Sequence, residues 1–154
     1  DIEYKNVKIA AGAGTIIIKS LNTKELSLEL GAGVTTIENI NVKDKCSINS
    51  GAGKLTINKG IINRLSLDMG VGEASIKTQL TGDSSVNSGI GKLMLNILGK
   101  ENDYKLKISK GIGDINVNGQ PICDGYSTNT GSHNVTVNGD IGLVDINFIE
   151  EASI

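Results

Sequence analysis

One histidine, two cysteines and a scatter of carboxylates are the groups in this 154-residue chain best suited to catalysis or metal binding. Spacing decides how much they can do. A metal centre needs three or four suitable ligands, and the nearest partner that can be named for His133 is Asp114. His133 therefore reads as a residue tolerated at a surface corner. A Ser-His-Asp triad is recognised by geometry that no spacing here predicts. The acids Asp68, Asp83, Asp103, Asp114, Asp124, Asp140 and Asp145 stand at different positions relative to the recurring glycines described below. Glu29 and Asp68 do share a position, but two repeats apart with Asn49 between, which does not make the pair of acids at ~5–9 Å that glycoside hydrolysis requires. The Gly-Gly-x-Gly-x-Asp calcium repeat is missing. The expectation is a protein without catalytic residues, metal or cofactor.

The most frequent chemical motif is Gly-x-Gly. It appears at Gly12/Gly14, Gly31/Gly33, Gly51/Gly53, Gly70/Gly72, Gly89/Gly91 and Gly111/Gly113, and Gly131 follows at the same interval without its second glycine. Successive first glycines are 19, 20, 19, 19, 22 and 20 residues apart. A phosphate loop would occur once, run into Gly-Lys-Ser/Thr and open a capped helix. A fixed period near 20 instead marks a repeat architecture, and the glycines read as its structural corners.

Positions five and three before each corner carry Val7/Ile9, Leu26/Leu28, Cys46/Ile48, Leu65/Leu67 and Leu106/Ile108. Positions four and six after it carry Ile16/Ile18, Leu55/Ile57, Ala74/Ile76, Leu93/Leu95, Ile115/Val117 and Val135/Val137. Period-2 alternation of this kind denotes strands with one buried face. No segment keeps the i, i+3, i+4, i+7 spacing of a helix. The residue between the glycines (Ala13, Ala32, Ala52, Val71, Ile90, Ile112) is small or aliphatic and is expected to point inward as well.

The predicted fold is all-β: a right-handed parallel β-solenoid of about seven coils in one domain spanning 1–154. The alternative is an antiparallel β meander in which each Gly-x-Gly closes a hairpin. Residues 1–6 are expected to cap the first coil and 140–154, with Glu150 and Glu151, the last, since bare strand edges template polymerisation. On this register Cys46 is buried and inert, Cys123 sits in a loop, and the two lie too far apart for a disulfide. Ser27, Ser47, Ser66, Ser85 and Ser127 should form one outward column, and Asn58, Asn96, Asn118 and Asn138 another. Thr36, Thr56 and Thr136 are too interrupted, by Ile17, Ser75, Met94 and Asn116, for an ice-binding array.

Composition narrows the partners. Fifteen basic against 17 acidic residues give a net charge of −2 and no field to draw nucleic acid. Arg64 is the one arginine, and the chain has no Trp and a single Phe, so bidentate clamps and stacking platforms are scarce. No apolar run approaches the ~20 residues of a membrane span. The chain opens Asp1-Ile2-Glu3, which suggests a processed chain or a fragment whose signal or anchor has been removed.

Units such as "LELGAGVTTI" (28–37) and "NSGIGKLMLN" (87–96) resemble the bacterial adhesin-type family of β-strand repeats, a domain of unknown function related in shape to the toast-rack domains of cell-envelope stress proteins. The resemblance covers roughly residues 7–148 and departs in "NTGSHNVTVN", where Ser132 and His133 replace the apolar residue and second glycine. It implies an extracytoplasmic or membrane-associated domain and supplies no catalytic residues. The expected role is a non-enzymatic adhesin, scaffold or ligand-sensing module, monomeric or weakly oligomeric, whose partner is a surface ligand or membrane protein. A cytoplasmic, polymer-forming scaffold of bactofilin type and, behind it, a carbohydrate-active enzyme are the alternatives.

Overall fold

In the computed structural model, which describes residues 4–123, 125–128 and 131–149, alternating sequence becomes strand almost everywhere. The elements are β1 (Tyr4–Ala11), β2 (Thr15–Ile18), β3 (Leu21–Ile37), β4 (Ile40–Ile57), β5 (Gly60–Asn63), β6 (Leu65–Thr81), β7 (Asp83–Leu98), a single 3₁₀ turn (Glu101–Asp103), β8 (Tyr104–Val117), β9 (Gln120–Pro121), β10 (Tyr126–Ser127) and β11 (His133–Ile149). They form one sheet, and every pairing among β1 to β8 and β11 is parallel. That excludes the antiparallel meander and bears out the parallel solenoid.

The rungs built from β3 to β7 have three straight segments. In β3 and β4 these pair as Leu21–Thr23 on Ile40–Val42, Glu25–Leu30 on Lys45–Ser50, and Ala32–Ile37 on Ala52–Ile57, with a register shift at the first bend. Equivalent side chains therefore lie directly over one another. Leu28, Ile48, Leu67, Val86, Val137 and Ile108 make one core column, and Ile37, Ile57, Ile76, Leu95, Ile146 and Val117 another. All twelve are buried, and each such side chain contributes about 1.5–3 kcal/mol of burial energy.

The corner explains the glycines. At the second position φ is positive, +121° at Gly33, +125° at Gly53 and +134° at Gly72, a region L side chains rarely occupy. A Cβ at any of these three would also run into the backbone of the same corner one rung away, that on Gly33 striking the carbonyl oxygen of Gly14. At the first position φ is ordinary, but stacking alone excludes a side chain: a Cβ on Gly51 would sit 2.8 Å from the carbonyl oxygen of Gly31.

Gly14 departs from the expectation of one equivalent corner per repeat. It lies in the end rung, in the bend between β1 and β2 and outside any strand. An added Cβ there meets nothing within 4 Å, so only its φ of +115° calls for glycine. The physical reason is its place at the edge of the sheet, where no other corner among the described residues stacks on its outer side. The residue between the glycines also contradicts expectation, because it points outward. Val71, Ile90 and Ile112 are 52%, 50% and 73% exposed. The left-handed glycine comes after this residue, so inward parity switches on its far side.

The rung order also departs from chain order. β11 lies between β7 and β8, so the seventh repeat is inserted between the fifth and the sixth. Its corner is Asp140-Ile141-Gly142, in register with Gly89-Ile90-Gly91 on one side and Gly111-Ile112-Gly113 on the other. Gly131 is not that corner; it approaches Asp103 and Tyr104 ahead of β11, with φ +104°. Val135 and Val137 accordingly precede the corner, and Val144 and Ile146 follow it. Residues 140–149 are an interior strand and not a cap, and residues 4–6 belong to β1, the first rung itself. The outer edge of β8 is covered in part, by antiparallel β10 at Lys107–Ile108 and by antiparallel β9 at Asn116–Val117. Residues 1–3 and 150–154, the rest of the expected caps, and Asp124 lie outside the described residues.

Skipping a rung means climbing about 9.6 Å, not about 4.8 Å. The 22-residue spacing from Gly89 to Gly111 leaves room for the 3₁₀ turn that makes this step. Tyr104 then locks the crossing. Its hydroxyl donates to the Leu80 carbonyl at 2.8 Å, and its ring stands 5.6 Å from His133 and 5.4 Å from Phe148, near the two ends of β11.

Three stability measurements follow. Gly72→Ala is expected to lower the urea-derived unfolding free energy by about 3 kcal/mol or more. Gly12→Ala, where an added Cβ meets nothing within 4 Å, should stay within about 0.5 kcal/mol of the parent. Equal effects would contradict positive φ and stacking together as the reasons for the glycines. Tyr104→Phe leaves the Leu80 carbonyl unpaired and should cost about 1–3 kcal/mol.

Candidate functional site

Because the first residue of most corners is glycine, with no side chain, the corner column is hollow. It forms a groove of about 930 Å³ along the stack, from Ala10 in the first rung to Asn138 and Asp140 in β11. Its wall is the outward residue two before each corner and its floor the inward residue one before it. Across successive rungs the wall reads Glu29, Asn49, Asp68, Asn87 and Asn138. Of the glycines expected as corners, Gly12, Gly31, Gly51, Gly70 and Gly89 line the groove. Gly14 and the second glycines stacked above it lie beyond the outward residue and do not.

Register turns this wall into a hydrogen-bonded ladder. Asn87 Nδ2 donates to Asp68 Oδ1 at 2.8 Å, Asn138 Nδ2 donates to Asn87 Oδ1 at 2.9 Å, and Ser109 Oγ donates to Asn138 Oδ1. All donors point the same way, toward the Asp68 carboxylate, so the bonds polarise one another. Similar pairs stand elsewhere on the surface: Asn134 Nδ2 donates to Asp83 Oδ1 at 2.7 Å, and Asn147 Nδ2 to Asn96 Oδ1 at 3.3 Å.

The columns foreseen from sequence are partly as expected. Ser27, Ser47, Ser66 and Ser85 stack in register, whereas Ser127 pairs with Lys107 on the antiparallel cover. Asn138 belongs to the groove wall, and Asn147 takes the place expected for it beside Asn96. Thr36 and Thr56 pair, but Thr136 lies against Ser85 and Lys107. These three differences share one cause, the inserted rung. A second feature missed from sequence is an outward apolar stripe: Ala32, Ala52, Val71, Ile90, Ile141 and Ile112, in spatial order.

The other candidates stay apart. His133 is half-buried at the start of β11, where its Nδ1 accepts from the Gly82 N–H at 3.1 Å. Asp114 pairs with Leu143 beyond the corner, so the structure does not bring it to His133. Glu29 and Asp68 occupy one column with Asn49 between them, as expected. Among the described residues no group of three or more His, Cys, Asp and Glu side chains is placed to hold a metal ion. Among the same residues no helix is long and apolar enough to cross a membrane.

Both cysteines are free, Cys46 buried and Cys123 exposed, in agreement with the sequence reading. Burial pushes the Cys46 thiol from 9.0 up to about 12, because the apolar interior disfavours thiolate. Comparison of the chain with family models, curated proteins and solved structures finds no match in any of the three.

Native protein titrated with a thiol reagent at pH 8 should therefore yield one rapid equivalent, from Cys123, and two after denaturation. The same shift has a linkage consequence of defined sign. Below pH 9 Cys46 is protonated folded and unfolded, and its contribution is fully present. Between about 9 and about 12 only the unfolded state releases the proton, so stability falls as pH rises. Cys46→Ala should lose this component of the alkaline slope, as read from denaturation midpoints at pH 8 and pH 10.5.

Proposed function

We propose that this chain is a non-enzymatic domain of the bacterial cell envelope, which presents a rigid binding surface to a surface ligand or membrane protein. The observation that carries the reading is the continuous groove, whose polar wall is ordered side chain to side chain over successive rungs. A parallel stack holds such a wall at a fixed spacing set by the backbone. Binding to it requires little further ordering of the protein, and that lowers the entropic cost of association.

The envelope location rests on the sequence resemblance to adhesin-type repeats. The antiparallel segments on the outer edge of β8 favour a discrete module over an end-to-end polymer, since they stand where a following parallel rung would have to pair at Lys107–Ile108 and Asn116–Val117. Protease shaving of intact native cells, with a lysed control, tests the location. Removal of the domain from intact cells is the expected result. Cleavage only after lysis would overturn the surface reading and favour an intracellular scaffold.

A further inference from the structure

From the second rung to the fifth the groove alternates at twice the spacing of the fold. Glu29 and Asp68 place carboxylates on the wall in the second and fourth rungs in spatial order; in the sixth the wall residue is Asn138, and the carboxylate is that of Asp140, two residues further along the strand at the corner itself. The third and fifth rungs carry the amides of Asn49 and Asn87. The floor alternates in step, with Leu30 and Met69 beside the first two acids. Ser50 and Ser88 lie beside the amides. Ser50 and Ser88 are only 8% and 5% exposed, line the groove, and have no side-chain hydrogen-bond partner among the described residues. Neither hydroxyl is among the sealed-off polar atoms of the described residues, so both stay open to the groove, where a ligand group can replace water as their partner.

Among the described residues no lysine, arginine or histidine lines the groove. Its charge suits a cationic ligand and opposes an anionic one. The repeat adds a length: two rungs span about 9.6 Å. A polyproline II chain has three residues per turn at ~3.1 Å each, so every third side chain returns to one face after about 9.3 Å. Along the stack axis the mismatch from Glu29 to Asp68 is about 0.3 Å, and a long lysine side chain bridges the further sideways offset of about 6.8 Å to Asp140. A β-strand ligand repeats its face every two residues, about 6.8 Å, and falls out of phase within one interval.

We infer that the groove binds an extended polyproline II peptide with a basic residue at every third position. The inference rests on the binding reading above and names its ligand class. Basic side chains meet Glu29, Asp68 and Asp140, and proline rings pack on Leu30 and Met69. The peptide carbonyls, which such a helix leaves free of internal hydrogen bonds, accept from the Asn49 amide and from the Ser50 and Ser88 hydroxyls.

The test is fluorescence anisotropy with a labelled peptide of repeating Lys-Pro-Pro, against one of equal composition built from Lys-Lys-Pro-Pro-Pro-Pro. At physiological ionic strength the in-phase peptide is expected to bind about tenfold more tightly, with Asp68→Asn and Glu29→Gln each removing most of that preference. Glu73→Gln, an equal charge change outside the groove, should leave it intact. Equal affinity for the two peptides would overturn the inference, as would binding unaffected by Asp68→Asn. So would Asp68-dependent capture of glucosamine oligomers without peptide binding, which would make the ligand an amino-sugar chain. Failure of the peptide with the domain still removed by shaving would refute this ligand class and leave the surface reading in place.

Discussion

Close stacking of backbone on backbone at the corner is the constraint on which this molecule depends. A parallel rung must turn where its neighbours turn, and at strand spacing the carbonyl of one corner occupies the space a Cβ would need in the next. Two glycines in most rungs satisfy that demand for different reasons, one by adopting positive φ and the other by clearing the stack. Everything else follows from the shared corner. It brings the core columns into register, aligns amides so that they bond along the axis, and leaves a hollow where side chains are missing. The groove is thus a by-product of how the chain turns.

The two ends of the stack are treated differently. At the first rung, among the described residues, β1 and β2 pair only with β3, and Val7, Ile9 and Ile18 are only partly covered. At the far end β8 is shielded by short antiparallel segments that follow directly from it, including Pro121, which has no N–H to offer along an edge. Pairing on one side and cover on the other give the stack a polarity that a plain tandem repeat lacks.

Much of this was legible in the sequence. The alternation around Leu26/Leu28 or Leu65/Leu67, together with the recurring glycines, is enough to predict strands, rung length and parallel stacking. The state of both cysteines follows from that register. The order of the last two rungs was hidden by regular counting, because Gly131 falls 20 residues after Gly111 and completes the period. The competing signal lay ten residues on: Ile141-Gly142 followed by Val144 and Ile146 repeats Ile90-Gly91 followed by Leu93 and Leu95. The orientation of the residue between the glycines is not legible from alternation, because the corner itself breaks the alternation. Gly14 looked equivalent to Gly33 because a motif carries no mark of being at an edge. The groove could not be seen at all, since a hollow is made by atoms that are absent and by register among distant residues.

Insertion of β11 between β7 and β8 also bears on how the protein comes into being. Asn134 pairs with Asp83, 51 residues earlier, while β8 emerges from the ribosome before the strand that must separate it from β7. Synthesis at roughly 5–20 residues per second leaves β8 and its matching columns free to dock on β7 for a second or more. Assembly rung by rung from the N-terminus therefore stops at the fifth rung. β8 can take its native place only after β11, the strand that follows it in the chain, has been made.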